Sequence, residues 1–152
     1  MIKVAIVDDN QINRITIKEK LAPYQDVFLV FEATNGEDFF EKLESLPKED
    51  YPQVVLMDLE MPILDGIVTI ASASIKFPEI KYIVLTIYED DDKIFEAIKA
   101  GASGYLLKED KAVNIVEAMK NVVQFDGIPM SPAIARRAME LLRDTPKPTA
   151  SM

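Results

Sequence analysis

The hydrophobic residues of the chain fall into five short runs that recur at regular intervals. Each run is rich in β-branched, aliphatic or aromatic residues and has the length of a β-strand. The predicted strands are Val4–Val7, Val27–Phe31, Val54–Met57, Tyr82–Leu85 and Tyr105–Leu107. Because the third and fourth runs are apolar at nearly every position, the pattern indicates strands that are buried on both faces of a sheet.

The segments between these runs have the hydrophobic spacing of amphipathic helices. The clearest helix follows Asp110, where six apolar residues fall on one face: Ala112, Ile115, Val116, Met119, Val122 and Val123. The ends of other helices are marked by a capping-box spacing from Thr34 to Glu37, by Pro78, and by Gly101 as a left-handed terminator. The helix that Pro78 stops is predicted to begin near Leu64.

Strands and helices alternate five times, and this alternation predicts an α/β fold. Parallel neighbours need right-handed crossover connections, so the sheet should be mostly parallel and doubly wound, with helices on both faces. Beyond residue 124, Gly127 and Pro129 interrupt the pattern, and one more amphipathic helix is predicted at about residues 132–143, capped by Ser131. The last segment, TPKPTASM, is typical of a linker or a disordered tail. We therefore expect one domain over residues 1–124 and a linker region over 125–152.

Length and composition agree with a single water-soluble domain. The chain has 152 residues, 49% of them hydrophobic and 28% charged, and no apolar run approaches the roughly 18 residues that cross a membrane. The first residues have the pattern of a strand that ends in acids, and not that of a signal peptide. A formal net charge of −9 argues against nucleic-acid binding through phosphate contacts. Without histidine or cysteine, the usual general base and transition-metal ligands are missing.

Polar residues follow four of the five predicted strands at the point where each strand ends. They are Asp8 and Asp9 after the first strand, Asp58 after the third, Thr86 after the fourth and Lys108 after the fifth. In a doubly wound sheet, ligands bind beyond the carboxyl ends of the strands, so we expect these side chains to meet. Three carboxylates repel one another unless a cation joins them, and ligation by oxygen alone suits Mg²⁺ or Mn²⁺.

The same residues supply the groups that are needed to form an acyl phosphate. Asp58 can act as the nucleophile toward a phosphoryl group, while the metal ion and Lys108 neutralise the phosphoryl oxygens and Thr86 donates a hydrogen bond. Taken singly, each residue has a plainer interpretation: Asp9 could cap a helix that starts near Gln11, and Lys108 could be a surface lysine. The joint placement of all five residues at strand ends favours the chemical interpretation.

Four segments carry a resemblance to a known family: IVDDN, LMDLEMPILDG, LTIYEDDD and GASGYLLK, in that order. Over about residues 1–124, the chain resembles the receiver domain of two-component response regulators. The resemblance implies a flavodoxin-like (βα)5 fold with strand order 2-1-3-4-5. GASGYLLK and the later SPAIARR are similar to the NarL/FixJ-type subfamily, in which a helix-turn-helix output domain follows the receiver.

The resemblance implies a role for each acidic residue of the candidate site. Asp58 resembles the phosphoacceptor of the family. Asp8 and Asp9 resemble the acidic pair that binds Mg²⁺ (or Mn²⁺) together with Asp58. The backbone carbonyl of Glu60 resembles the remaining protein ligand of that ion.

The resemblance also implies a switch. Thr86 and Lys108 resemble the residues that contact the bound phosphoryl group, and Tyr105 resembles the aromatic residue that turns inward when the threonine moves. At the position after the threonine, where the family commonly has a small residue, this chain has Ile87. Bulk at that position could restrict the water or the small phosphoryl donor that must reach the site.

The function implied by the resemblance is that of a signalling domain and not that of a turnover enzyme. A histidine kinase would phosphorylate Asp58 in a Mg²⁺-dependent reaction, and autodephosphorylation would reverse it. The surface formed by helix 4, strand 5 and helix 5 would then bind a partner or a second copy of the chain. Transcription would be controlled through an output domain outside this sequence, which alone would contact DNA. The expected location is the cytoplasm, without membrane attachment.

Two alternatives remain open. The chain could be a stand-alone or phosphorylation-independent binding module that resembles a receiver. It could also be a phosphatase of the haloacid-dehalogenase type, which forms an aspartyl phosphate on a similar sheet. Members of that family carry an Asp-x-Asp motif after the first strand. In this chain, Asp58 follows the third strand and Glu60 lies two residues later.

Overall fold

The structure is a computed structural model that describes residues 1–125, 130 and 132–144. Its strands are β1 (Ile2–Val7), β2 (Val27–Ala33), β3 (Val54–Met57), β4 (Lys81–Thr86) and β5 (Gly104–Leu107). Its helices are α1 (Gln11–Leu21), α2 (Gly36–Glu44), α3 (Gly66–Lys76), α4 (Asp91–Ala100), α5 (Ala112–Gln124) and α6 (Pro132–Asp144). All paired strands are parallel, and their order is β2-β1-β3-β4-β5. The predicted flavodoxin-like topology is therefore confirmed.

The sheet separates two hydrophobic clusters. On one side, α2, α3 and α4 contribute buried residues that include Phe39, Ile70 and Ile94. On the other side, α1 and α5 contribute buried residues that include Ile17 and Met119. All four residues of β3 are buried, as the sequence predicts for a strand covered on both faces. Helices therefore lie on both faces of the sheet, and its carboxyl edge faces outward between them.

Four of the five strands extend beyond the hydrophobic runs that predict them, and β3 has the predicted bounds. β1 begins at Ile2, which pairs with Val27, and β4 begins at Lys81, which pairs with Val54. Lys81 carries a polar side chain, so the hydrophobic pattern alone misses it, although its backbone N–H donates to the carbonyl of Gln53 at 2.9 Å. Backbone pairing, which does not depend on side-chain type, therefore sets the observed strand ends.

The start of α2 corrects one prediction. The capping residue is Asn35 and not Thr34: the side-chain oxygen of Asn35 accepts a hydrogen bond from the backbone N–H of Asp38 at 2.9 Å. In return, the carboxylate of Asp38 accepts a hydrogen bond from the backbone N–H of Thr34 at 2.9 Å. The cap thus lies one residue later than predicted, because asparagine caps at least as well as threonine, and the carboxylate of Asp38 bonds back to the residue before the cap.

The ends of α3 and α4 follow the predicted signals closely. α3 begins at Gly66, two residues after the predicted start, because Asp65 caps it through a 2.9 Å hydrogen bond from the backbone N–H of Val68. α3 ends before Pro78, since the residue that precedes a proline is kept out of the helical conformation. α4 ends at Ala100 and is followed by Gly101, whose φ of 111° lies in the left-handed region that glycine adopts without steric cost.

A sixth helix, α6, is present close to the position predicted for it. It packs against α4, and Met130 forms an isolated parallel β-bridge with Tyr105 of β5. The predicted cap at Ser131, the interruption of the helical pattern at Gly127 and Pro129, and the predicted tail TPKPTASM lie outside the described residues. Within the described part of the chain, every helix is too short or too polar to cross a membrane.

Candidate functional site

The register of the sheet brings the first and third strand ends together. β1 pairs with β3 so that Val7 lies beside Met57, and each strand is followed directly by an aspartate. The backbone N–H of Asp58 donates to the carbonyl of Val7 at 2.9 Å, and that of Asp8 donates to the carbonyl of Ala33 at 3.0 Å. Both aspartates are thus held by backbone bonds that continue the sheet.

The predicted carboxylates and the predicted lysine lie in one cluster. Asp8, Asp9 and Asp58 each offer a carboxylate oxygen, and these oxygens lie within 4.8 Å of one another. Asp8 and Asp58 are buried, with 1% and 7% of their surface exposed, whereas Asp9 is exposed. The ammonium of Lys108 lies 2.7 Å from Oδ2 of Asp8 and 3.4 Å from Oδ1 of Asp58. A single cation therefore bridges the two buried acids.

Burial, and after it the neighbouring charge of Asp8, raise the pKa of Asp58, and the net value is about 6. The ammonium of Lys108 and the backbone N–H of Leu59 act against this rise, because both stabilise the charged carboxylate. The carboxyl group is therefore ionised at neutral pH but strongly favours a positive neighbour.

The acidic cluster suits a hard divalent cation. Its donors are carboxylate oxygens only, which is the ligand type preferred by Mg²⁺ and Mn²⁺. Oδ2 of Asp8 is buried and accepts no hydrogen bond, although Lys108 lies 2.7 Å away outside hydrogen-bonding geometry. A buried carboxylate oxygen that lacks a hydrogen bond has coordination capacity left for a metal ion. The residues present thus fit the ion that the sequence predicts.

Asp9 does not act as the cap of α1. That position is taken by Asn10, whose side-chain oxygen accepts a hydrogen bond from the backbone N–H of Asn13 at 3.1 Å. The plainer interpretation of Asp9 as a helix cap is therefore wrong. The exposed carboxylate of Asp9 is left to the acidic cluster.

Thr86 and Tyr105 lie buried on the two strands next to the acidic cluster. Thr86 is the last residue of β4, and its hydroxyl oxygen accepts a long hydrogen bond of 3.4 Å from the backbone N–H of Tyr88. The hydroxyl of Tyr105 donates to the backbone carbonyl of Tyr88 at 2.8 Å, and burial raises the pKa of this phenol. Both side chains therefore contact the loop between β4 and α4. Ile87 in the same loop is 68% exposed, so its bulk lies largely in solvent.

The side chain of Glu60 makes a contact that the sequence does not predict. Its Oε1 accepts a hydrogen bond from the ammonium of Lys93 at 2.6 Å, and this bond lowers the pKa of Glu60. Lys93 also lies over the ring of Tyr88, 4.7 Å from the ring centre. These contacts join the loop after β3 to the loop after β4. They border an open cavity of about 460 Å³ that Asp9 and Asp65 also line.

Two cations of α1 hold the backbone of the site, and sequence reasoning missed both. Arg14 donates from Nη1 to the carbonyl of Asp8 at 2.7 Å. Lys20 donates to the carbonyl of Lys108 at 2.7 Å and to that of Asp110 at 3.0 Å. A basic residue on a helix looks like a solvent-exposed residue in the sequence, and only the folded structure, in which α1 packs beside α5, shows its contact with the site.

The turn after Asp58 explains the Asp-Gly pair at the end of LMDLEMPILDG. A Cβ atom on Gly66 would lie 2.0 Å from the backbone carbonyl oxygen of Asp58, so a side chain cannot be placed there without movement. The backbone N–H of Gly66 also donates to the carbonyl of Leu59 at 2.8 Å. Within the turn, Ile63 has a φ of 69°, and the backbone N–H of Leu64 donates to the carbonyl of Pro62. The first turn of α3 is thus packed directly on the backbone of the candidate phosphoacceptor.

Fold and site together define a doubly wound α/β protein whose ligand site lies at the carboxyl ends of β1, β3 and β5. Comparison with known proteins gives the family. The family described as "Response regulator receiver domain" matches residues 4–120, and the chain belongs to that family. Proteins of this family are regulators of signalling and not classical enzymes.

Individual relatives agree with the family. "Transcriptional regulatory protein DegU" of Brevibacillus brevis is 36% identical over 123 residues, which cover 81% of this chain and 50% of that protein. A two-component response regulator of the LuxR family from Aurantimonas sp. SI85-9A1 superposes with a TM-score of 0.82 at 23% identity, covering 95% of this chain and 99% of that one. The isolated REC domain of RcsB from Salmonella enterica serovar Typhimurium, solved with phosphomimetic BeF3⁻, gives 0.78 at 23% identity, covering 90% and 97%.

The predicted NarL/FixJ-type subfamily is confirmed by these relatives, which are regulators of the same type. The two structural neighbours, at their low identity, show the shared fold. The chain spans about half the length of the curated relatives it matches.

Proposed function

We propose that the chain is a phosphoacceptor receiver and that Asp58 accepts a phosphoryl group from a histidine kinase. The observation that carries this proposal is the contact of one lysine with two buried carboxylates: Lys108 lies within 3.4 Å of Asp58 and 2.7 Å of Asp8. The carboxylate of Asp58 can act as the nucleophile, and the ammonium of Lys108 supplies positive charge beside it. Histidine kinases present their phosphoryl-donor domain in the cytoplasm, so the proposed function places the chain there as well.

The transfer makes one bond and breaks one. A carboxylate oxygen of Asp58 attacks phosphorus, the bond from phosphorus to the donor's imidazole nitrogen breaks, and the imidazole takes a proton from solvent. Asp58 must be ionised to attack, and its pKa of about 6 leaves it mostly ionised at neutral pH. Lys108 is placed to neutralise charge on the phosphoryl group, and Thr86 can donate its hydroxyl hydrogen to a phosphoryl oxygen.

A divalent cation, Mg²⁺ or Mn²⁺, belongs to the proposed site. Asp8, Asp9 and Asp58 would hold it, with the backbone carbonyl of Glu60 as a further ligand. When bound, the ion supplies positive charge next to the phosphoryl oxygens. In its absence, Lys108 is the positive group that the structure places between the buried acids.

The proposed output is a change in the surface formed by α4, β5 and α5. Thr86 and Tyr105 both contact the loop between β4 and α4. A shift of the threonine toward the phosphoryl group would therefore move this loop and change its contact with the tyrosine. The shift in population can be no larger than the difference in the phosphoryl group's contacts in the two states, and about 1–3 kcal/mol is typical. Partner binding, homodimer formation and transcriptional control through an output domain, as in the longer relatives, would follow from this shift.

Phosphorylation of the purified chain tests the proposal. The protein is incubated with Mg²⁺ and acetyl phosphate, or with a cognate kinase, and intact-mass spectrometry measures the addition of one phosphoryl group. We expect wild type and the exposed control Asp92→Asn to be modified, and Asp58→Asn to remain unmodified. Modification that persists in Asp58→Asn would contradict the assignment of the phosphoacceptor. Unchanged partner affinity after modification would instead favour a phosphorylation-independent module.

A further inference from the structure

The segment formed by Met130 and α6, called here the docked segment, lies across the surface of β5 and α4. Met130 forms a parallel β-bridge with Tyr105. The side chain of Ile134 is fully buried in the same hydrophobic cluster as Ile94 of α4 and Tyr105. The docked segment is therefore packed on the body of the domain through its own buried side chain.

An ion pair fixes the docked segment at a second point. Nη2 of Arg137 lies 2.6 Å from Oδ1 of Asp91, and its Nε donates to the same oxygen at 2.8 Å. Asp91 is the first residue of α4 and directly follows the loop that extends from Thr86. The neighbouring Arg136 is exposed, as expected for a solvent-facing position. The two contacts of the segment thus fall on β5 and on the start of α4.

These two contact points are the elements that the proposed switch would move. The hydroxyl of Tyr105 bonds to the backbone carbonyl of Tyr88, so the ring is held inward and contacts the loop from Thr86 to α4. The switch implied by the family resemblance has the ring inward in the phosphorylated state, and Ile134 of the docked segment is buried in the same cluster as this inward ring. Phosphorylation and docking therefore favour the same position of Tyr105.

We propose that the docked segment is an intramolecular ligand of the α4–β5 surface and that phosphorylation of Asp58 strengthens its docking. The inference rests on the proposed receiver function. Coupling between two sites is reciprocal, so loss of docking should weaken binding of the phosphoryl group or its mimic by the same factor. The segment contacts the β5 and α4 part of the proposed output surface, so a partner or a second copy of the phosphorylated chain would bind at α5, beside the docked segment.

Hydrogen exchange of the whole chain, measured by mass spectrometry, tests the proposal directly. The probe is BeF3⁻ with Mg²⁺, and peptides that cover residues 132–144 report on docking. We expect amide exchange in α6 to slow about fivefold or more when BeF3⁻ binds wild type, the lower end of typical coupling between sites. In Asp58→Asn, which should not bind BeF3⁻, exchange in α6 should not respond to the probe.

Substitutions in the docked segment give the reciprocal measurement. Arg137→Ala should speed exchange in α6 roughly two- to fivefold without BeF3⁻, since the ion pair is half exposed, whereas the matched control Arg136→Ala should leave exchange unchanged. Ile134→Ala removes a buried contact and should speed exchange by about tenfold or more. Both docking variants, but not the control, should bind BeF3⁻ more weakly than wild type.

The outcomes separate this inference from the function on which it rests. If BeF3⁻ protects the loop between β4 and α4 in an Asp58-dependent manner while exchange in α6 stays the same or rises, the coupling is wrong and the receiver function stands. If BeF3⁻ shows no Asp58-dependent binding in wild type, the proposed function fails and the coupling fails with it. If Ile134→Ala leaves exchange in α6 unchanged, the docked state itself is wrong.

Discussion

Replacing Asp58 with asparagine tests whether this buried carboxylate destabilises the folded chain as its surroundings imply. The side chain is 7% exposed, and burial together with the charge of Asp8 raises its pKa from 3.8 to about 6. That rise corresponds to about 3 kcal/mol of destabilisation once the group is ionised in the folded protein. Asparagine has a similar shape and carries no charge, so Asp58→Asn should make the chain more stable at neutral pH.

The dependence on pH identifies the cause. Because the pKa is higher in the folded chain, the folded chain binds the proton more tightly than the unfolded chain does. The resulting stabilisation is fully present below about pH 3.8 and is lost as the pH rises through about 6. The stability difference between Asp58→Asn and wild type should therefore grow by about 1.5 kcal/mol between roughly pH 5 and pH 8.

Urea denaturation of both proteins in the presence of a chelator, at the two pH values, measures this difference. The exposed substitution Asp92→Asn is the control, and its effect should not depend on pH in the same way. Adding Mg²⁺ should reduce the difference in unfolding free energy between Asp58→Asn and wild type at about pH 8, because a bound cation stabilises the ionised carboxylate of wild type. If the difference in unfolding free energy between Asp58→Asn and wild type is equal at both pH values, the electrostatic reasoning is refuted.

Three further substitutions test individual contacts. Gly66→Ala should destabilise the chain by about 1–3 kcal/mol in urea denaturation, since its Cβ would meet the carbonyl of Asp58, and a neutral result would mean that the turn can move. Lys20→Met removes two hydrogen bonds to the backbone around Lys108, so it should slow phosphorylation by acetyl phosphate severalfold; an unchanged rate would show that the lysine needs no such support. Tyr105→Phe should cost about 1 kcal/mol and speed amide exchange in the β4–α4 loop, without preventing phosphorylation.

Much of the fold follows from the sequence because its signals are local. Hydrophobic runs such as Val54–Met57 are nearly free of polar residues, and buried parallel strands require this composition. The strand-end position of Asp8, Asp58 and Lys108 then predicts their meeting, since parallel strands end at one edge. Proximity of these side chains is therefore a consequence of topology, and it needs no knowledge of rotamers.

The rest of the site depends on contacts between segments that are distant along the chain. Lys20 reaches the carbonyl of Lys108, 88 residues away, because α1 packs beside α5, and the periodicity of α1 marks Lys20 as an ordinary polar position. The pair of Arg137 with Asp91 joins α6 to α4 in the same way. At α2, the difference between the predicted cap Thr34 and the observed cap Asn35 is local, because two residues that can cap are adjacent and asparagine is the stronger of them.

The close packing of Gly66 against the backbone of Asp58 also limits which neighbouring elements can move when Asp58 is modified. The first turn of α3 cannot move closer to Asp58, because no free space separates Gly66 from the carbonyl of the residue that would be modified. A group added to Asp58 would therefore have to be accommodated away from this backbone contact, where Asp9, Glu60 and Lys93 line an open cavity of about 460 Å³. Because Lys93 belongs to α4, such a group would act on α4 while the start of α3 stays in place against the backbone of Asp58.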